Sequence, residues 1–263
     1  MTKTLKNMKR IVDVAALAGI TMLEANAESY RVEDTVDHIL ELSQQPMTEV
    51  FANTTGLFIT LDGPDLDNPI TVIKRITKRN TNLRHIHMVN QISRDLTSDK
   101  VKLDEAYKKL QNIDHHNYSL KITDFSIILL VLSFVILFGG GLSEMLLSLV
   151  AAFLMLMSYR IRDLLALNDF IFGVMTTMIV ATVIPILIHA KGSTSNPSFN
   201  IVIISVLMPL FPGTAFTNGF RDSIKGDFGA GVSKIVEALI IAVSLGLGVA
   251  IGLSIAKGVI AWL

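Results

Sequence analysis

Residues able to do chemistry concentrate in a segment of the C-terminal half, 211–227, FPGTAFTNGFRDSIKGD. Pro212 has no backbone donor and frees a carbonyl, and Gly213 adopts backbone conformations that other residues resist. Thr214, Thr217 and Asn218 add hydroxyl and amide partners. The planar guanidinium of Arg221 suits a carboxylate, and Asp222 or Asp227 can receive an amino group or a proton. Such a sequence breaks a helix, and a broken helix that lines a cavity offers backbone groups to a solute or ion. The plainer alternative is a reverse turn at a membrane interface, its charges among lipid headgroups. Glu237 lies inside an apolar run. A carboxylate in lipid is costly, so it should face a bundle interior and exchange a proton there, or pair with Lys234 one helical turn earlier.

A second set lies in the N-terminal half. Glu28, Tyr30, Arg31 and Glu33 open a helix, where acidic side chains suit the helix dipole. Asn90, Ser93 and Arg94 share one helical face at i, i+3 and i+4. Both groups suit an internal polar network or a gate contact. The chain has no cysteine, so thiolate chemistry and disulfides are excluded. His85, His87, His115 and His116 lack acidic or cysteine ligands at metal spacing, so no metal site is expected. No P-loop, nucleophile elbow or dinucleotide glycine pattern is present. The expectation is therefore no cofactor, no catalytic residue and no ATP hydrolysis. Lys+Arg and Asp+Glu both number 23, and this balance gives no support to nucleic-acid binding.

The elements that must hold these residues differ sharply between the two halves. Mean hydropathy is +0.52, yet residues 1–122 carry 16 of the 23 basic and 16 of the 23 acidic side chains. The composition break divides the chain into an expected cytosolic α+β domain, 1–120, and a transmembrane helical domain, 121–263. In the first, helical periodicity covers 6–27 and 32–43. Strand-like runs follow at 48–54, 56–61 and 69–76, the last two separated by turn chemistry at 61–69. Helical patterns return at 83–96 and 103–113. The reading is a small sheet, a meander, with about four helices. In the second half, uncharged runs cover 125–143, 145–159, 170–188, 199–211 and 238–256. A span needs about 20 apolar residues, so the second and fourth are short, but together they predict about five transmembrane helices.

Basic residues of short loops mark the cytoplasmic side. With the first domain cytosolic, Arg160, Arg162, Arg221 and Lys225 fall inside, and Lys191 alone falls outside. The C-terminus is then outside, in a multi-pass protein of the plasma or inner membrane. Gly248 and Gly252 form a GxxxG, a packing motif for a neighbouring helix, including one from a partner subunit. Glu144, three residues after Gly141, caps a tight external hairpin in the favoured reading and lines the pathway in the other.

The segment 18–35, AGITMLEANAESYRVEDT, resembles the opening motif of the threonine/serine exporter family, with Asn26-Ala27 where Gly-Ala is usual. Segment 75–96 matches the second motif through Asn90, Ser93 and Arg94. Segment 208–238, with Pro212-Gly213, Asn218, Arg221-Asp222, Gly226-Asp227 and Glu237, is the most specific match. The resemblance implies a proton-motive-force-driven exporter of small hydroxy amino acids or, in a split relative, of a dicarboxylate such as succinate. It implies the larger subunit of a split form, working with a separate, smaller hydrophobic membrane protein. Homo-oligomerisation is open. Alternatives are a membrane-embedded sensor or assembly subunit, or a membrane-anchored hydrolase with the soluble domain as its active part.

Overall fold

The computed structural model describes residues 3–113, 119–190 and 197–262, with side chains from residue 5 onward. His115, His116 and the Lys191 used to assign the outer side lie outside the described residues. Two compact units emerge. One joins residues 1–117 with 214–236; the other joins 118–213 with 237–263.

The first unit begins with helices α1 (Lys3–Glu24) and α2 (Ser29–Leu40) and a short 3-10 turn, Glu41–Ser43. Strands β1 (Met47–Asn53), β2 (Gly56–Asp62) and β3 (Ile70–Arg75) follow as an antiparallel sheet in the order β1-β2-β3, the expected meander. Register is set by pairs such as Val50↔Ile59 and Ile59↔Val72. Side chains alternate between faces along a strand. Leu57, Ile59 and Leu61 of β2 are therefore buried, while Phe58 points outward beside exposed Phe51 and Ile73. The inner face packs on α1 and α2, and α3 (Leu83–Thr97) and α4 (Leu103–Gln111) pack against α1. The core holds Val14, Ala18 and Met22 of α1, Val32, Val36 and Ile39 of α2, and Val89 and Leu96 of α3, spaced as one face of each helix.

Two further helices complete this unit: most of α9 (Gly213–Ile224) and the first part of α10 (Phe228–Trp262). They cross closely. A Cβ on Gly219 would stand 2.9 Å from the Gly231 carbonyl, and one on Gly231 would stand 2.1 Å from Ser223 Oγ. The linear reading puts 214–236 with the membrane segments. The fold gathers it with the charged N-terminal half, because the polar side chains of α9 find their partners there.

The second unit contains α5 (Leu120–Leu137), α6 (Leu142–Leu165), α7 (Asp169–Ala190), α8 (Phe199–Leu210) and the rest of α10. Four helices, α5, α6, α7 and α10, are long and apolar enough to cross a membrane. The count reaches five if α8 and α9 form one bent span. α8 alone rises only about 18 Å at 1.5 Å per residue. Its break falls at Phe211-Pro212, where the chain leaves helical conformation before α9. Val131, Met155, Val180, Ile184 and Val206 form the interior of this unit.

Glu144 caps two helices at once. Its Oε2 accepts the Gly141 N–H at 3.0 Å, and its Oε1 accepts the Ser198 N–H, at the start of α8, at 3.0 Å. Gly248 and Gly252 meet α7 of the same chain. A Cβ on Gly248 would reach 2.0 Å from Thr177 Oγ1, and one on Gly252 would reach 2.5 Å from the Met178 carbonyl. The GxxxG is thus occupied within the chain, which removes it as a partner-subunit contact.

Candidate functional site

The turn after α1 and the α9–α10 hairpin build one polar cluster. α1 ends at Asn26 with φ +64°. Glycine takes this left-handed conformation freely and asparagine tolerates it. The Ala27 N–H bonds back to the Met22 carbonyl at 3.0 Å, and α2 starts two residues later.

Asp222 and Lys234 lie at the centre, with relative side-chain exposures of 0% and 2%. Lys234 Nζ donates to Asp222 Oδ2 at 2.7 Å, to the Ala27 carbonyl at 3.1 Å and to Ser29 Oγ at 3.3 Å. An ammonium has three donors, and all three are used. Asp222 Oδ1 accepts the Ser29 N–H, near the start of α2, at 3.2 Å. Burying two charges is expensive unless they are paired and their remaining hydrogen-bonding capacity is met; here both conditions hold.

A second ion pair lies alongside. Glu28 Oε1 accepts from Arg221 at 2.7 Å, and its Oε2 accepts from Arg31 at 3.3 Å. Burial opposes ionisation of Glu28. The backbone hydrogen bond from its own amide, the hydrogen bond from Arg221 and the charges of both arginines outweigh it and hold the carboxyl below the ordinary glutamate range. Burial raises the Glu33 carboxyl, aided by the charges of Asp227, Asp222 and Asp37, although it accepts the Ala52 N–H at 2.8 Å. Lys225 Nζ sits 5.5 Å from the Tyr30 ring centroid, a cation–π distance. Asn218 Nδ2 donates to the Asn26 carbonyl at 2.9 Å, and Thr214 Oγ1 lies 3.1 Å from Thr81 Oγ1.

The structure therefore brings together Glu28, Tyr30, Arg31, Thr214, Asn218, Arg221 and Asp222 from segments almost 200 residues apart. Other sequence candidates stand elsewhere. Asp227 caps α10 by accepting the Ala230 N–H at 2.9 Å. Asn90 Oδ1 lies 3.4 Å from Thr35 Oγ1, Ser93 is buried in α3 and Arg94 is exposed. Pro212 and Gly213 form the break before α9, and Glu237 sits in the part of α10 that belongs to the second unit. Sequence reasoning missed Ser29, the Ala27 carbonyl and the partner of Lys234. Glu237 was one of two readings for the partner of Lys234, whose ammonium is committed to Asp222, Ala27 and Ser29. A lysine among mostly apolar neighbours was the available signal: a buried ammonium demands a carboxylate, and Asp222 is one helical hairpin away. Among the described residues no group of three or more His, Asp or Glu side chains could hold a metal ion.

The structure joins an α+β unit to a set of four to five helices long and apolar enough to cross a membrane, the architecture of a multi-pass membrane protein. A family model described as "Putative threonine/serine exporter" matches residues 13–256. The chain belongs to that exporter family. No curated protein and no solved structure matches it.

Proposed function

We propose that this chain is one half of a secondary exporter of small polar metabolites, threonine and serine first and a dicarboxylate such as succinate second. In this reading the proton-motive force drives export, and a separate, smaller membrane subunit supplies the second half. Family membership gives the transporter class. The observation that carries the mechanism is the buried Asp222–Lys234 pair held by Ala27 and Ser29. It ties α9, the helix after the Pro212 break, to the start of α2. Glu28 and Arg221, Tyr30 and Lys225, and Asn218 and Asn26 extend the tie. Arg221, Asp222 and Glu237 are the charged groups proposed to respond to substrate or protons, and Asn90, Ser93 and Arg94 support the domain behind them.

The soluble domain is proposed to lie in the cytoplasm and the C-terminus outside. Arg160 and Arg162, at the same end of the second unit as Asp124 and Asp169, support this through the positive-inside rule. A sensor or assembly role for the soluble domain fits the cluster less well, since its Asp222–Lys234 centre is buried and paired rather than open to a ligand.

The test is efflux from cells loaded with labelled threonine, serine or succinate. Deletion of the gene should slow efflux of at least one of them. A protonophore should slow it to the deletion level in wild-type cells. Unchanged efflux in the deletion strain rejects the exporter reading. Efflux that ignores the protonophore rejects the proton coupling alone. Co-purification of a small multi-span protein with the tagged chain tests the two-subunit arrangement.

A further inference from the structure

The α9–α10 hairpin of the first unit is built inside out. A helix in water buries its apolar side chains and turns its charges outward. Over 228–236 of α10 the arrangement is reversed. The one charged side chain, Lys234, is buried, while Phe228 is 68%, Val232 54% and Val236 48% exposed. These three stand at i, i+4 and i+8, one stripe along the helix. Gly229 and Ser233 are also exposed. The Ser233 hydroxyl donates back to the Gly229 carbonyl at 2.8 Å, so no side chain on this face asks for a hydrogen-bonding partner.

α9 carries a second stripe. Phe216, Phe220 and Ile224 are again at i, i+4 and i+8. The two phenylalanine rings pack edge to face with centroids 5.1 Å apart, and Ile224 is 82% exposed. The charge buried here is Asp222, whereas Arg221 and Lys225 stay exposed. An apolar stripe with cations on the neighbouring face is the pattern of a helix lying in a membrane interface. Its apolar side enters the acyl chains and its cations stay among the headgroups.

The other exposed apolar patch of this unit is different. Phe51, Phe58 and Ile73 form a row across the sheet through the pairs Phe51↔Phe58 and Phe58↔Ile73. Residues two apart share a face of a strand, so exposed Glu49, Thr71 and Arg75 lie on the same side. A mixed face of this kind suits water. The outer face of 228–236 has no charge at all.

We infer that the outer face of the hairpin, formed by Phe216, Phe220, Ile224, Phe228, Val232 and Val236, is immersed in lipid. The unit that carries most of the charge of the chain is then itself seated in the bilayer. Two observations favour lipid over a protein partner. α10 continues without a break past Val236 into a run long and apolar enough to cross a membrane, and Leu239, Ile240 and Val243 of that run are exposed too. A protein interface also carries about one hydrogen bond per 100–200 Å², whereas the side chains of 228–236 offer none outward and lipid tails require none. The Asp222–Lys234 pair thus lies between the N-terminal helices and a lipid-facing hairpin, with water excluded on both sides. This seating does not depend on what the chain transports.

The chain has no cysteine, so an introduced thiol is unique. The full chain, carrying one nitroxide label at Phe220→Cys, Phe228→Cys or Val232→Cys, is reconstituted in phosphatidylcholine–phosphatidylglycerol vesicles. Relaxation of the label by dissolved oxygen is compared with relaxation by a water-soluble nickel chelate. Lipid gives high oxygen and low nickel accessibility, water gives the reverse, and a protein contact lowers both. Ile240→Cys in the apolar run of α10 and Asp67→Cys in the exposed turn before β3 are the lipid and water standards. All three labels should match Ile240→Cys. Nickel accessibility equal to that of Asp67→Cys puts the hairpin in water and overturns the inference. Low accessibility to both reagents overturns it in favour of a protein partner. Three positions on two helices keep the test decisive if one variant does not fold.

Discussion

Two ion pairs of this chain, Asp222–Lys234 in the first unit and Arg162–Asp169 in the second, have similar chemistry and opposite settings. The first is dry, 0% and 2% exposed, with every ammonium proton used. The second is 35% and 50% exposed and edges a cavity. Removing one partner of a buried pair leaves an uncompensated charge and costs about 3–5 kcal/mol, whereas an exposed pair contributes about 0–1 kcal/mol. The difference separates a clamp, which holds two segments together, from a contact that can open at little cost.

The largest effect should come from the clamp. Asp222→Asn leaves Lys234 buried with no counter-ion and should lower thermal stability by about 3–5 kcal/mol, read as a large fall in the melting temperature of the purified protein. Adding Lys234→Met should return most of that stability, because an apolar side chain of similar length needs no counter-ion. Export should stay lost if the pair also responds to transport. A double variant that is stable and fully active would reduce Asp222–Lys234 to a packing device.

Next comes the α7–α10 contact in the second unit. Gly248→Leu would drive a side chain into Thr177 and the Val174 carbonyl. Overpacking of this kind costs about 1–3 kcal/mol and should appear as reduced detergent stability with the N-terminal domain unaffected. Thr177 and Thr182 donate to the carbonyls of Leu245 and Gly252 at 3.0 and 3.2 Å across that interface, so Thr177→Val should give a smaller loss.

A pH effect follows from Glu28. Its folded-state carboxyl titrates below the ordinary glutamate range. The unfolded chain therefore binds more protons in that window, and stability rises with pH across it. The contribution is complete above the ordinary glutamate value and is lost as pH falls through the lower, folded-state value. Glu28→Gln should remove this acid-side loss and weaken the hold on Arg221, which chemical unfolding at neutral and acidic pH can read. The smallest stability effect should be that of Asp169→Asn, within about 1 kcal/mol, read by thermal unfolding of the purified protein. Glu237→Gln should likewise leave folding intact and slow export; normal export would remove Glu237 from the mechanism.

Much of the architecture was legible in the residues. The meander followed from β-rich runs separated by Gly63, Pro64 and Asn68, because strands and turns are specified locally. Long apolar runs announced α5, α7 and α10, because only helices satisfy their own backbone in lipid. The capping role of Glu144 followed from the glycines before it, although its second partner, Ser198, is 54 residues away and was not legible. The break at Pro212 was legible as well, since proline and glycine act on their own backbone.

The pairings of the candidate site were hidden. Lys234 stands one helical turn before Glu237, and helix geometry alone selects that neighbour. The hairpin at Gly226 instead folds α9 back against α10, so Asp222 reaches the ammonium first. Asn26, Ala27 and Ser29 enter through backbone groups, which every residue carries and no sequence pattern advertises.

By itself, then, the sequence determined the two-part composition, the apolar helices, the small sheet and the exporter-family motifs, since each depends on local spacing or length. Only the tertiary structure decided that residues 214–236 join the N-terminal unit, that Asp222 belongs to Lys234, and that Arg162 of α6 and Asp169 of α7 pair at one cavity. Those choices rest on contacts between residues distant in the chain, where burial makes a charge or hydroxyl take whichever partner the packing brings within about 3 Å.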